Sequence, residues 1–283
     1  MKSAFVAVVG RPNVGKSSLV NRIVGRKVTI VSDKPQTTRR RIHGVVTKGD
    51  SQVVFVDTPG LHKPVTALGE RVNATALSST VDVDVVVLVV DAEKGFGKGD
   101  EWVAQNVPLR RAGSKFFVVV NKCDQIAPEA VLRQLSQVSA LEADEYFPIS
   151  AKTGKGIDAL LDALIACSQD GPWFYPPETA GDVSEEEWVA ELVREELLRL
   201  TRDELPYSIA TRVTDWEWPV VRCEIVVERE SQKGMVIGKG GSLLKQVGEA
   251  VRSQMAEGAF LELRVVVDKD WQRKPSRVER LGY

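Results

Sequence analysis

The sequence predicts an α/β fold in two parts. The first is a three-layer domain with a mostly parallel six-stranded sheet over residues 1–170, and the second is a smaller α+β domain over 184–283. Three observations carry this. Apolar runs of strand length alternate with amphipathic helical patterns through the first half, as a parallel sheet covered on both faces requires. Gly171-Pro172-Trp173-Phe174-Tyr175-Pro176-Pro177 then breaks the alternation, so residues 171–183 read as a stiff linker whose aromatics pack on another surface, such as a domain interface. After it the order becomes helix, strand, strand, helix, helix, strand.

The composition allows two real cores. Hydrophobic residues make up 43% of the 283 and charged residues 27%, an ordinary globular balance. The net charge of −1 names no partner, so a nucleic-acid site must be a local patch. The three cysteines, Cys123, Cys167 and Cys223, show no metal spacing and fit a reducing cytosol, and a cytoplasmic location is expected. His43 and His62 are the only histidines, which excludes a multi-histidine metal site. Residues 4–9 are too short for a secretion signal and run straight into the next motif, and 81–90 are too short to span a bilayer.

The first apolar run, residues 4–9, is a strand that delivers Gly10-Arg11-Pro12-Asn13-Val14-Gly15-Lys16-Ser17, and a helical pattern follows to Gly25. Strand, glycine loop, lysine, hydroxyl and helix form the context of a phosphate-binding P-loop. Backbone N–H groups and the helix start would surround an anion. Lys16 should reach the β- and γ-phosphates, and Ser17 should ligate Mg²⁺.

Val28-Thr29-Ile30-Val31 reads as a short β run entering a polar loop over 32–41, with Gln36-Thr37-Thr38-Arg39 inside it. A threonine here can ligate Mg²⁺ while its N–H meets a γ-phosphate, which makes the loop a nucleotide switch. Thr38 is preferred to Thr37. Residues 42–47 and 51–56 form a hairpin around Lys48-Gly49-Asp50. The second strand ends in Asp57-Thr58-Pro59-Gly60. Asp57 is expected to act through the metal's water shell, and the Gly60 N–H to meet a γ-phosphate. Leu61 stands where many regulatory GTPases carry a water-orienting glutamine, and leucine closes that route. A helix over 67–79 should be the second switch.

Residues 84–91 are a buried central strand, 95–99 a glycine turn lacking the lysine–hydroxyl pair, and 100–111 a helix. The strand 116–120 ends in Asn121-Lys122-Cys123-Asp124. A carboxylate there accepts from both N1–H and the 2-amino group of guanine, a donor pair that adenine lacks. Asp124 therefore reads the base, Lys122 lies along it, Asn121 ties loops together, and Cys123 is inert. The strand 146–149 leads to Ser150-Ala151-Lys152, whose backbone meets guanine O6, and a helix over 156–167 closes the domain.

In the second half, Ser184 caps a helix with Glu187, and Val189, Val193, Leu197 and Leu200 supply its apolar face. Strands are expected over 208–215, 220–230 and 261–267, with a basic tail helix carrying Lys274, Arg277 and Arg280. Ile237-Gly238-Lys239-Gly240-Gly241 is a Gly-x-x-Gly turn between two helices. Such a turn admits nucleotide backbone, with Lys239 on phosphate and Ile237 lining a groove for unpaired bases. The element order matches the type II KH fold.

Taken with Leu205-Pro206-Tyr207-Ser208, Val227-Glu228-Arg229-Glu230 and Met235-Val236-Ile237-Gly238, these motifs resemble the Era family of bacterial ribosome-assembly GTPases over essentially the whole chain. A single Gly-Lys-Ser loop excludes the relative with two G domains. The resemblance implies GTP binding and hydrolysis, with GDP as product. It implies a KH domain on the 3′ end of small-subunit 16S rRNA, gated by nucleotide state, and a part in 16S rRNA processing and 30S subunit assembly. It implies a monomer with no DNA partner, cytoplasmic with some peripheral membrane association. Leu61 matches the family's hydrophobic residue. Asn13 matches an asparagine that holds K⁺ beside the phosphates in similar GTPases, which would place Asn13 with Lys16, Thr38 and Gly60 in catalysis. Two other classes stay open. One is a signalling or membrane-surface GTPase whose KH-like module is a protein interface. The other is a metabolic P-loop kinase, against which Asp124 argues.

Overall fold

The computed structural model describes residues 1–108 and 113–283. It divides into two compact units. The first comprises Met1–Val31, Thr38–Pro64 and Arg71–Asp182, and the second Ser32–Thr37, Val65–Glu70 and Val183–Tyr283.

The first unit is built on one sheet. Its strands are β1 (Lys2–Val9), β2 (Ile42–Lys48), β3 (Ser51–Asp57), β4 (Val85–Asp91), β5 (Lys115–Asn121), β6 (Glu145–Pro148) and the two-residue β7 (Gln169–Asp170). The spatial order is β2-β3-β1-β4-β5-β6, with β7 antiparallel on β1. Only the β2–β3 hairpin is antiparallel on the main path; β3-β1-β4-β5-β6 are parallel. Every residue of β3 and β4 is buried. Such strands read as unbroken apolar runs because helices cover both faces. The helices are α1 (Lys16–Val24), α2 (Ala67–Ser78, in this unit from Arg71 on), α3 (Lys98–Asn106), α4 (Pro128–Val138) and α5 (Ile157–Ala166). One core, around Val6, Leu19, Phe55, Val87 and Leu160, lies on one side of the sheet. Another, around Val9, Leu61, Leu88, Val103 and Val120, lies on the other.

Several elements differ from expectation. Residues 28–31 form no strand. Asn21 of α1 takes their backbone partners instead: its Oδ1 accepts from the N–H of Val28 and Thr29, and its Nδ2 donates to the Thr29 carbonyl. The helix expected over 100–111 starts earlier, at Lys98, and its expected end at Arg111 lies outside the described residues. Helix α4 was not foreseen, although Pro128 at its first turn and Val131, Leu135 and Val138 at helical spacing announce it.

The proline-aromatic segment after β7 packs on the first unit as a strap. Buried Gln52 accepts from the N–H groups of Phe174 and Tyr175 at 2.9 and 3.0 Å and donates to the Tyr175 carbonyl at 2.9 Å. Trp173 Nε1 donates to the Asp50 carbonyl, and Phe174 packs on Phe5 at 4.6 Å between ring centroids. His43 Nδ1 sits 2.7 Å from both Tyr175 Oη and Asp182 Oδ2.

The second unit has α6 (Glu185–Leu200), α7 (Leu205–Ser208), α8 (Glu230–Ile237), α9 (Ser242–Arg252) and α10 (Pro275–Arg280), with β8 (Ala210–Glu217), β9 (Val220–Val227) and β10 (Phe260–Val267). The sheet order is β10-β9-β8, with β9 and β10 parallel. The strand expected to run to 230 stops at Val227, because Gln232 captures the N–H groups of Glu228 and Arg229 and starts α8. Ser184 Oγ accepts from the Glu187 N–H, as the cap reading predicts. Within this unit the buried Arg194 forks onto Glu191 and donates to the Thr37 carbonyl. The basic tail helix is a closure: Arg277 and Arg280 both pair with Asp268, and the fully buried Trp271 donates to the Ser208 carbonyl at 3.0 Å. No helix among the described residues is long and apolar enough to cross a membrane.

Candidate nucleotide site and nucleic-acid interface

The loops leaving the carboxyl ends of β1, β3, β5 and β6 meet above the sheet, where ligands bind in such folds. Close approach dictates the glycines of the first loop. A side chain at Gly10 would put its Cβ 2.5 Å from the Val89 carbonyl oxygen, and one at Gly15 would meet Asn121 Nδ2 at 2.3 Å. Val14 is buried, and Asn13 takes a left-handed φ of 65°. Lys16 folds back over the loop, donating to the carbonyls of Gly10 and Arg11 at 3.1 and 2.9 Å. Burial pulls its ammonium down to about 8, against the opposing pull of Asp57.

Arg11 has a socket that sequence reading did not assign. Its Nε donates to the buried Asp100 at 2.8 Å, and its Nη2 to the Gly95 carbonyl at 3.3 Å. A Cβ on Gly99 would lie 2.6 Å from Arg11 Cδ. The glycine turn over 95–99 therefore receives Arg11.

Asp57 ends β3 fully buried. Its Oδ2 accepts from Ser17 Oγ at 2.8 Å, Thr29 Oγ1 at 3.1 Å and Thr38 Oγ1 at 3.4 Å, and Ser17 Oγ lies 2.9 Å from Thr38 Oγ1. Its Oδ1 is buried with no hydrogen-bond partner among the described residues. Burial raises the carboxyl above its ordinary value, against Lys16 and the three hydroxyls. A buried anionic oxygen beside two hydroxyls suits a hard cation taken with its water. Thr37 points elsewhere, donating to the Lys34 carbonyl at 2.7 Å. Thr29 is a member that the strand reading hid.

Thr58 Oγ1 donates to the Val8 carbonyl at 2.7 Å, and Pro59 is buried beside it. Gly60 packs against Pro12: a Cβ would lie 2.7 Å from the Pro12 nitrogen. The Leu61 N–H donates to the Gly10 carbonyl, while its side chain, 1% exposed, enters the core with Leu88 and Ala76. Leu61 thus anchors the loop from beneath.

The base-reading loops interlock. Asn121 Nδ2 donates to the Val14 carbonyl at 2.9 Å, and its Oδ1 accepts from the Ala151 N–H at 3.0 Å. Lys122, at φ 66°, donates to the Asn13 carbonyl at 2.9 Å and to Asp91 at 2.7 Å. Asp91 was not singled out, although it ends an apolar strand just as Asp57 does. Asp124 accepts from Ser150 Oγ at 2.6 Å. Lys152 is exposed beside them. Cys123 is half-buried, and burial raises its thiol.

In the second unit, α8 ends at Gly238, and Lys239-Gly240-Gly241 turns the chain into α9. Gly238, Gly240 and Gly241 have φ of 75°, 60° and 81°, the left-handed region where glycine alone is unstrained. A Cβ on Gly238 would lie 2.9 Å from the Leu243 nitrogen, while Gly240 faces open space. Lys239 is exposed, and Ile237, Leu243 and Leu244 are each half-buried against the core of this unit.

A P-loop, a buried strand-end aspartate and a guanine-selective carboxylate define a GTPase, and the second unit is a KH domain. Residues 5–122 match the family described as 50S ribosome-binding GTPase, and residues 204–272 match the KH domain family. The GTPase Era of Heliobacterium modesticaldum is 42% identical over 293 residues, covering 100% of this chain and 97% of that protein. That of Mycobacterium bovis is 44% identical over 297 residues, covering 99% and 98%. A crystal structure of Era in complex with MgGDPNP and nucleotides 1506–1542 of 16S ribosomal RNA superposes with a TM-score of 0.95 at 36% identity, covering 100% of this chain and 99% of that one. An Aquifex aeolicus Era variant bound to GDP and aluminium fluoride gives the same TM-score, identity and coverage. This chain belongs to the Era family of GTPases.

Proposed function

We propose that this GTPase uses its nucleotide state to time the binding of its KH domain to the 3′ end of 16S rRNA during assembly of the 30S subunit. One observation carries the reading: a full set of guanine-site residues and a Gly-x-x-Gly turn lie in one chain, as in the Era whose structure holds both a GTP analogue and 16S nucleotides. Crosslinking in cells with sequencing of bound RNA tests it. A peak at the end of the small-subunit rRNA is expected; crosslinks scattered without that peak would overturn it.

In the reaction Lys16 exchanges its two carbonyl partners for β- and γ-phosphate oxygens, which favour its charged form. Mg²⁺, when bound, would be held by the Ser17 and Thr38 hydroxyls, with Asp57 Oδ1 as the acceptor for its water. The chemistry it would supply there is neutralisation of phosphate charge. The Gly60 N–H meets the γ-phosphate. With Leu61 buried, the attacking water is oriented by switch backbone. Asn13 is the candidate ligand for K⁺, where other GTPases place an arginine. Equal turnover in KCl and NaCl would overturn that assignment. Asp124 and the backbone around Ala151 and Lys152 read guanine. In the KH domain Lys239 takes an RNA phosphate and Ile237 faces the bases.

A further inference from the structure

We propose that Arg22 is a positioning residue for base recognition: from the helix that starts at the phosphate loop it aims the Lys152 N–H at guanine O6. Arg22 lies in the last turn of α1, exposed on the helix surface. Its Nε donates to the Ala151 carbonyl at 2.8 Å, and its Nη2 donates to the Lys152 carbonyl. Two donors of one planar guanidinium thus grip two successive carbonyls, which fixes the orientation of both peptide planes.

In a trans peptide the C=O of one residue and the N–H of the next point in opposite directions. Holding the Ala151 carbonyl towards α1 therefore turns the Lys152 N–H away from α1. The N–H groups on either side are engaged. That of Ala151 donates to Asn121 Oδ1 at 3.0 Å, and that of Thr153 to Ser150 Oγ at 3.0 Å. The Lys152 N–H is the donor between them with no partner among the described residues. It sits beside Ser150, whose hydroxyl holds Asp124, the residue that reads the opposite side of the base edge. The acceptor that fits is the 6-oxo group of a guanine base.

Arg22 could instead serve only the carboxyl end of α1, where a cation stabilises the helix dipole. Arg22→Lys keeps that charge but loses the fork, so the two roles separate.

The inference rests on the guanine reading, and the test keeps the two distinct. Affinities of wild type, Arg22→Ala and Arg22→Lys are measured for GDP, IDP, 6-thio-GDP and ADP. IDP keeps O6 and lacks the 2-amino group; 6-thio-GDP keeps both donors and replaces O6 by a weakly accepting sulfur. Arg22→Ala should weaken GDP and IDP equally, by about tenfold, and 6-thio-GDP by about twofold or less. Arg22→Lys should recover part of that loss. kcat at saturating GTP should stay within about twofold, since the phosphate-side residues are untouched. Equal weakening of GDP, IDP and 6-thio-GDP, no weakening at all, or full recovery by lysine would overturn the role of Arg22. Wild type failing to prefer GDP over ADP would overturn the guanine reading itself.

Discussion

Ser150 Oγ donates to Asp124 Oδ1 at 2.6 Å, so the carboxylate proposed to read guanine is oriented before any ligand arrives. The same hydroxyl accepts from the Thr153 N–H at 3.0 Å. Ser150→Ala removes one donor to a charged group and leaves the 150–153 turn less fixed. GDP affinity should fall about tenfold, with faster GDP release in stopped-flow fluorescence and kcat little changed. Unchanged release would show that Asp124 needs no such support.

Asp57 should separate ligand-free stability from metal-dependent binding. Asparagine keeps an acceptor for Ser17, Thr29 and Thr38 but removes the buried charge that burial opposes. Asp57→Asn should unfold at or above the wild-type temperature without ligand. Its Mg²⁺-dependent gain in GTP-analogue affinity should drop about 10–100-fold. A lower melting temperature without ligand would contradict this account of the buried carboxylate.

Lys16 makes nucleotide binding sensitive to pH. Without ligand its pKa is lowered from 10.5 to about 8. Phosphate oxygens favour the charged form, so below pH 8 ligand meets a lysine that already carries its proton. Above that value a proton must be taken up on binding, and affinity falls by at most about tenfold per pH unit. Titration calorimetry at pH 9 in two buffers of different ionisation enthalpy should register uptake approaching one proton, and little at pH 7. The unfolded chain also holds more protons than the ligand-free fold between about 8 and 10.5, so this group makes stability rise with pH in that window.

The two ends of the KH turn should respond differently. Gly238→Ala meets both a positive φ and the Leu243 backbone, and should destabilise the protein by about 1–3 kcal/mol. Gly240 faces open space, so Gly240→Asp should cost about 1 kcal/mol or less while repelling phosphate. Filter binding to the 3′ end of 16S rRNA should lose affinity in the second variant at nearly wild-type melting temperature. Equal melting losses in both would refute the distinction.

The strap depends on one buried amide. Gln52→Ala strips partners from the Phe174 and Tyr175 N–H groups and the Tyr175 carbonyl. Protease should then cut near Trp173–Tyr175, and stability should fall by about 1–3 kcal/mol. Cleavage no faster than in wild type would mean the aromatic contacts hold the strap alone.

The site was legible in the sequence wherever chemistry forces a residue type. Gly10, Gly15 and Gly60 stand where a Cβ would strike backbone or a buried amide, and Asp57 and Asp124 are carboxylates delivered by apolar strands. What escaped depends on distant partners. Nothing within 28–31 says that Asn21 will claim its backbone, turning a plausible strand into a pinned loop that contributes Thr29. Nothing near Arg22 or Arg11 in the sequence announces Ala151 and Asp100, the partners that fix them. The 171–182 segment reads as a stiff linker packed on another surface, but its anchor, Gln52, lies over 100 residues earlier and nothing local names it. Helix α4 is legible in its own periodicity, between two stronger motifs.

Burial of the thiols has a practical consequence for labelling. Cys223 is enclosed in the second unit, and burial pushes its thiol up to about 12. Cys123 and Cys167 are half-buried, and both are raised as well. Alkylating dyes react with the thiolate, so near neutral pH all three should couple slowly. A single cysteine introduced on an exposed loop would therefore take a maleimide fluorophore selectively, with the native three left in place.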